Sequence, residues 1–363
     1  MMRNNQPKYL QVKNKIITQI ASGIYPDGTL LSAEKELMEQ FKVSRNTIRA
    51  ALKELGKEQI ILKQQGRPSI IQRKYIDNNS EKKPFKIAWL DSSRIGMELT
   101  VYFNIFQNIA TLSTQKNIQL DYISLPMLNS EDMDNLDLSE YAGVITNGTA
   151  LTSDMVKLFK KIPNLICIDH LVNIPASNYI CTDNRKGGYL ATKYLLQQGC
   201  KNIIFLGVAP SFFSYTPFGE RLHGYQDALL ESGIDPKSER IIISSEYNVF
   251  QNIGAFLESK MELLKNSDAI FAITDWIAVD TVFALQRLGF SIPSDISVIG
   301  FDGMAQSQFM HPKLTTMRQP IEKIAKTVFD YIMDSCFKNG SLEHLIQIEP
   351  DLLIGETVKK SHL

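Results

Sequence analysis

Apolar residues change their spacing along this chain. In the N-terminal segment they recur every three or four positions: Tyr9, Val12, Ile16 and Ile20 after Pro7, then Leu37, Met38 and Phe41, then Ile48, Ala51, Leu52 and Leu55. That period buries one face of a helix, so three helices are predicted, the first running out at "SGIYPDG", the second starting at Ser32 or Ala33. "IILKQQGRPSII" then sets two short apolar runs around a polar tip containing Gly66, the pattern of a hairpin. From Phe85 the pattern becomes short, nearly continuous apolar runs: "FKIAWL", "IQLDYISL", "YAGVITNG", "NLICID", "NIIFLG", "RIIISS", "DAIFAIT" and "DISVIGFD". Helical stretches separate them, as at Val101 to Gln115, Lys186 to Gln198, Glu220 to Ser232 and Trp276 to Leu288. Such alternation predicts an α/β fold with parallel sheets covered on both faces. Eight runs predict two sub-domains of about four to six strands each.

The third helix starts against its own dipole. Ser44 is a good N-cap and Val43 can staple onto Ile48, but Arg45 and Arg49 bring cations to the first turns, and the nearest acid on that helix is Glu54. A negative partner from outside the helix is therefore expected. The turn "KVS" joins helices two and three as in a helix-turn-helix, and the hairpin that follows completes a winged helix. In that arrangement Arg45, Asn46, Arg49 and Lys53 lie opposite the buried stripe. The helix can then enter a major groove, where phosphates and guanine edges supply the missing negative charge.

Charge supports the division. Of 363 residues, 39 are Lys or Arg and 39 are Asp or Glu. The segment Met1 to Tyr75 nevertheless holds 14 basic against 6 acidic side chains and carries +8, which leaves −8 on the rest. "QRKYIDNNSEKKP" between them is polar and without periodicity, so residues 74–84 are predicted to be a linker between residues 1–73 and 85–363. The four cysteines lie far apart, with no CxxC pair and no histidines at ligand spacing, so no metal or cofactor is expected. The start has no apolar signal core and no run of about 18 apolar residues occurs, which predicts a cytoplasmic protein without a membrane partner. No glycine-rich phosphate loop, HExxH or nucleophile elbow is present, which argues against an enzyme.

"EKELMEQFKVSRNTIRAALKEL" followed by "GKEQIILKQQGRPSII" resembles the GntR family of bacterial winged-helix regulators over nearly all of residues 8 to 72. The resemblance implies that Arg45 and Thr47 read bases or phosphates, that Lys35 and Arg49 touch phosphate, and that Gly66 is the wing tip in the minor groove. Ser44 and Asn46 accompany them at the helix start. Ser32 stands where the family usually has proline, and Gly66-Arg67-Pro68 replaces the usual Gly-Gly-Thr-Phe. The basic Arg67 suits a phosphate-lined groove.

In open parallel sheets, ligands bind beyond the carboxyl ends of the strands. The polar residues at run ends are Asp91, Asn147, Asp169 with His170, Asp275 and Asp302; Trp276 and "SFFSYTPF", including Phe213, could cover the apolar face of a sugar. "CTDNRKGGYLATKYLLQQGCKNIIFLG", "ERLHGYQDALLESGI", "AITDWIAVDTVFALQRLGFSIPSDISVIGFDG" and "LTTMRQPIEKIAKTVFDYI" resemble the effector domain of the LacI family, itself similar to periplasmic sugar-binding proteins. That resemblance implies a two-lobed, periplasmic-binding-protein-like effector domain. It makes Arg221 the grip on ligand hydroxyls or carboxylates and Asp275 and Asp302 ligand acids, with Asp183 and Asn184 at the crossover. Thr274 replaces the usual Asn and Gly303 the usual second Asp. The lobes are expected at 85–182 plus 303–340 and 183–302 plus 341–356.

A GntR-like reader on a LacI-like receptor resembles the arabinose-responsive repressor branch. It implies a homodimeric transcriptional repressor of a carbohydrate operon, bound to double-stranded operator DNA and responsive to a sugar. A phosphorylated sugar or a non-sugar effector is the alternative, and a carbohydrate-acting enzyme is the competing class.

Overall fold

The computed structural model describes residues 7–21, 24–64, 67–72, 85–92, 101–147, 152–162, 165–168, 178–208, 216–244, 253–335 and 345–361. The predicted linker, Gly66, His170 and Phe213 lie outside these residues, as does the side chain of Arg67.

The N-terminal unit has helices α1 (Lys8–Ala21), α2 (Glu34–Phe41) and α3 (Arg45–Lys57) and strands β1 (Ile61–Gln64) and β2 (Arg67–Ile71). The helical stripes meet as predicted: Val12, Ile16, Ile20, Leu37, Phe41, Ile48, Ala51 and Leu55 form one buried cluster with Ile60, Ile61 and Ile71. Helix α2 starts at Ala33, whose side chain cannot cap; Glu36 reaches back instead and accepts from the Ala33 N–H at 3.2 Å. Ser32 is bonded to the Tyr25 hydroxyl at 2.9 Å, so it anchors the preceding turn rather than the helix. Lys42 ends α2 in a left-handed conformation, and Ser44 caps α3 by accepting from the Thr47 N–H at 3.3 Å. The wing is antiparallel, with Ile61 opposite Ile71. Residues 29–31 extend it through Leu31 N–H to Ser69 O and Ile71 N–H to Thr29 O.

The remaining chain builds two lobes. The first starts with β3 (Lys86–Asp91), α4 (Val101–Gln115), β4 (Gln119–Ser124), α5 (Ser130–Asn135), β5 (Tyr141–Asn147), α6 (Ser153–Lys160), β6 (Leu165–Ile168) and β7 (Asn178–Thr182). The second follows with α7 (Asn184–Gln197), β8 (Ile203–Val208), α8 (Pro217–Glu231), β9 (Ile241–Ser244), α9 (Ile253–Glu258), α10 (Met261–Lys265), β10 (Ala269–Ala272), α11 (Asp275–Arg287), β11 (Ser297–Asp302) and β12 (Thr315–Arg318). The chain then returns to the first lobe as α12 (Ile321–Ser335) and β13 (Leu345–Ile348), and ends in the second with β14 (Asp351–Leu353).

Among the described residues each lobe's sheet has six strands, in the orders β4-β3-β5-β6-β7-β13 and β9-β8-β10-β11-β12-β14. Within these two sheets every pairing is parallel except β12 with β14. Both faces of the first sheet are covered, which explains the unbroken apolar runs. Along β3, Ile87 and Trp89 pack with Ile105, Ile109, Val328 and Phe329, while Ala88 and Leu90 pack with Met133, Leu158 and Phe159.

The expected lobe boundaries need correction. Beyond Asp302 the chain does not cross over but lays β12 beside β11, with Asp302 opposite Arg318. Strand β13 pairs with β7, Ile346 opposite Ile180, so it belongs to the first lobe. The crossovers therefore fall near Asp183, Gln319 and Pro350, and the lobes are 85–182 with 321–348 and 184–318 with 351–361.

Helices α7 and α8 approach backbone to backbone. A methyl on Gly188 would run into the Arg221 carbonyl, and one on Gly224 into the Arg185 carbonyl. Only hydrogen fits at these two positions. Gly224→Ala is expected to lower stability by about 1–3 kcal/mol through this forced separation; urea unfolding of the variant beside the parent checks it.

Candidate functional site

Two sets of polar side chains stand apart from the cores. The first lies on the helix-turn-helix. Arg45 and Arg49, with side chains 63% and 57% exposed, both donate from Nε to Glu34 at the start of α2. The distances to Oε2 are 3.0 Å from Arg45 and 3.2 Å from Arg49, and Arg49 also reaches Oε1 at 3.3 Å. The two guanidiniums, Arg45 first, hold the Glu34 carboxyl below its usual range. Part of the negative charge missing from α3 is thus supplied within the protein by Glu34, a residue that the pattern of α3 cannot point to because it lies on another helix. Lys35, Ser44 and Asn46 are exposed beside this cluster, and Thr47 is half-buried with its hydroxyl 2.9 Å from that of Ser44.

The second set runs along the carboxyl ends of the strands. In the first lobe, Asp91 at the end of β3 accepts from the Tyr122 hydroxyl at 2.6 Å and from Asn147 Nδ2 at 2.9 Å. Asn147 is fully buried, and its Oδ1 has no hydrogen-bond partner among the described residues. In the second lobe, Arg221 is 2% exposed. It donates from Nε to Asn184 Oδ1 at 2.9 Å and from Nη1 to the Ile273 carbonyl at 2.6 Å, and Nη2 lies 3.4 Å from Asp302 Oδ1. The Phe301 ring stacks beneath its guanidinium at 3.7 Å.

These contacts close into a ring across the crossovers. Gln319 donates to Asp302 Oδ1 at 2.8 Å and accepts from the Thr182 hydroxyl at 2.7 Å, while Asn184, besides receiving Arg221, donates to the Thr182 carbonyl at 3.0 Å. Asp183 ties in the third crossover, donating its N–H to the Ile348 carbonyl at 2.9 Å. Asp302 holds φ = +131°, a costly backbone for a residue with a side chain, followed by Gly303 at φ = +72°. Gln319, Thr182 and Tyr122 carry no signal in the sequence pattern because their roles depend on partners far away along the chain.

Asp275 sits differently from the expected ligand acid. It is buried, and its carboxyl accepts from Met304 N–H at 2.7 Å, Ser307 Oγ at 3.1 Å and Thr316 Oγ1 at 2.5 Å, fastening the segment after β11 to the start of α11. Its oxygens are occupied within its own lobe. Trp276, the next residue, is 46% exposed. Among the described residues no group of three or more His, Cys, Asp and Glu side chains could hold a metal ion, and no helix is long and apolar enough to cross a membrane.

Burial, then repulsion from Asp302, pushes the Asp275 carboxyl up from 3.8 to about 7. Between those values the unfolded chain has released this proton while the folded protein still holds it, so stability falls as pH rises through that window. The side-chain amide introduced by Asp275→Asn would mimic the protonated acid, donating to Thr316. The variant is expected to show a shallower fall in stability between about pH 4 and pH 7, by at most about 1.4 kcal/mol per pH unit; denaturant unfolding at a series of pH values measures it.

Comparison with known proteins agrees with this architecture. Residues 8–71 match the family described as bacterial regulatory proteins, gntR family, and residues 192–358 match the periplasmic binding protein-like domain. The HTH-type transcriptional regulator MalR of Clostridium butyricum is 32% identical over 213 residues, covering 56% of this chain and 61% of that one. The chain thus spans about three-fifths of the length of that curated relative. Among solved structures, the transcriptional regulator CelR in complex with cellobiose aligns with a TM-score of 0.65 at 16% identity, covering 97% of this chain and all of that one. A LacI family transcriptional regulator from Enterococcus faecium with bound ribose aligns with a TM-score of 0.61 at 22% identity, covering 75% and 98%. Those structural likenesses concern the fold. The chain thus carries a segment, residues 8–71, that matches the gntR family of bacterial regulatory proteins, and a segment, residues 192–358, that matches the periplasmic binding protein-like domain.

Proposed function

We propose that this protein is a cytoplasmic transcriptional repressor, active as a homodimer, whose grip on operator DNA changes when a sugar binds between the two lobes. The observation that carries the reading is the ring through Arg221, Asp302, Gln319, Thr182 and Asn184. Arg221 can donate to a ligand hydroxyl and Asp302 can accept from one, and together they carry no net charge, which suits a neutral, hydroxyl-rich ligand. Asp91 and Asn147 Oδ1, the latter without a partner among the described residues, offer further acceptors from the first lobe. Any ligand that draws on Arg221 or Asp302 also draws on Gln319 and Thr182 at the crossovers, so occupancy becomes a bias on lobe placement.

The reader side of the proposal rests on α3. Its exposed Arg45, Asn46 and Arg49, with Lys35 beside them, form a basic face on a unit of the size that enters a major groove. A two-fold pair of such units would read two half-sites. No cofactor is required beyond the effector. Sugars as a class fit the ring, arabinose being one of them; the bound cellobiose and ribose of the two structural neighbours are consistent with that class.

The test is binding of the purified protein to the DNA upstream of its own gene, at one stated salt concentration, with and without a panel of pentoses and hexoses. Salt-sensitive binding that one sugar weakens is expected; binding indifferent to every sugar removes the effector assignment, and no binding removes the reader. Arg49→Ala should weaken binding about tenfold and reduce the salt slope by about one. Arg221→Lys should leave DNA affinity within about twofold and abolish the response to the sugar, because lysine lacks the fork that meets Asn184 and Asp302 together.

A further inference from the structure

Glu34 raises a question that the basic face alone does not answer, since an acid at the centre of a DNA-reading surface opposes binding to phosphate. We propose that Glu34 is a specificity-determining positioning residue: by holding Arg45 and Arg49 through their Nε atoms, it presents their outer edges to bases and weakens attachment to DNA of the wrong sequence. This rests on the DNA-reading function proposed above.

The geometry is selective about which donors it uses. Both arginines meet Glu34 through Nε, at 3.0 Å for Arg45 and 3.2 Å for Arg49, and they share the same oxygen, Oε2. A guanidinium is rigid and planar, so fixing Nε directs the edge formed by Nη1 and Nη2 away from the carboxylate. That edge carries the paired donors which match the O6 and N7 acceptors of guanine. Without Glu34, two side chains that are more than half exposed would be free to turn toward whichever phosphate lay nearest.

Charge acts in the same direction. The trio of two arginines and one glutamate carries +1 instead of +2, which reduces the sequence-independent attraction to phosphates. An arginine that swings away to a phosphate also leaves Glu34 unpaired beside a polyanion, a cost that a correctly docked arginine avoids. A purely structural role for Glu34 at the start of α2 is already filled, because Glu36 accepts from the Ala33 N–H. Glu34 is left to serve the arginines.

The full-length protein would first be used to select duplexes from a random-sequence pool. Affinity for the selected duplex and for a scrambled duplex of equal length and composition would then be measured for the parent, Glu34→Gln and Glu34→Asp over a range of salt. For Glu34→Gln, binding to the scrambled duplex should be as tight as the parent's or tighter, binding to the selected duplex weaker, and the ratio lower by about tenfold or more. Its salt slope on the scrambled duplex should steepen by about one, for the cation released from pairing. Glu34→Asp keeps the charge but is one methylene short of both arginines, so the ratio should fall with the salt slope unchanged. An unchanged ratio in both variants overturns the proposal, as does an equal loss on both duplexes with a lowered unfolding midpoint. Failure of the parent to select any duplex instead overturns the DNA-reading function, and the proposal with it.

Discussion

The buried pairing of Arg221 with Asp302 is the contact on which the two-lobed unit depends. A guanidinium in the interior is costly to desolvate, and removing one partner of such a pair typically costs about 3–5 kcal/mol because the other is left charged and dry. Here every side of the problem is met locally. Asn184 and the Ile273 carbonyl take two of the arginine's donors, the Phe301 ring lies beneath its plane, and Gln319 gives Asp302 a second donor. The backbone complies too: Gly188 and Gly224 let α7 and α8 come close enough for Arg221 to reach Asn184, and Asp302 accepts a strained conformation to face it. Sheet order, helix contact and crossover chemistry thus converge on one buried charge.

The same pair lies next to the crossovers between the lobes. Thr182 closes one crossover and Gln319 opens another, and each is within one or two hydrogen bonds of the groups proposed to meet a ligand. Polar networks of this kind respond as units, because altering one member changes the partners available to the next. Asp275, expected among the ligand acids, also has a bracing place in the frame. Its bonds to Met304, Ser307 and Thr316 keep the strained turn after Asp302 in place.

How much of this could be read from the chain depended on whether the signal was local. Helical stripes such as Ile48, Ala51, Leu52 and Leu55 were legible because burial follows the 3.6 period directly. Strands such as β3, β6, β10 and β11 were legible because they are buried on both sides and their runs stay apolar. Strand β12 was missed because Thr315 and Thr316 are buried polar residues satisfied by hydrogen bonds to Gly355 and Asp275, so "TTMR" shows no apolar run. The boundary error near 303 has the same origin. Asp302 was legible from its place at the end of an apolar run and Arg221 only through family likeness, whereas Gln319, Thr182, Tyr122 and Glu34 act through partners many residues away, which no periodicity records.

Solvent determines what each arginine–carboxylate cluster is suited to do. At Arg221 the carboxylate partner lies in the dry interior, where exchange for another anion would mean moving a bare charge; that cluster can only be adjusted, by small changes in which atoms bond. At Arg45 and Arg49 the same chemistry lies at the surface, where an exposed ion pair contributes about 0–1 kcal/mol and salt screens it. Pairs that weak cost little to remake, and in the function proposed above base edges take up the outer donors that Glu34 leaves free. A cluster that must hold geometry while the lobes shift needs burial, and a cluster that must trade partners needs water. In the function proposed above, the chain uses one pair of residue types for both tasks and separates them by depth.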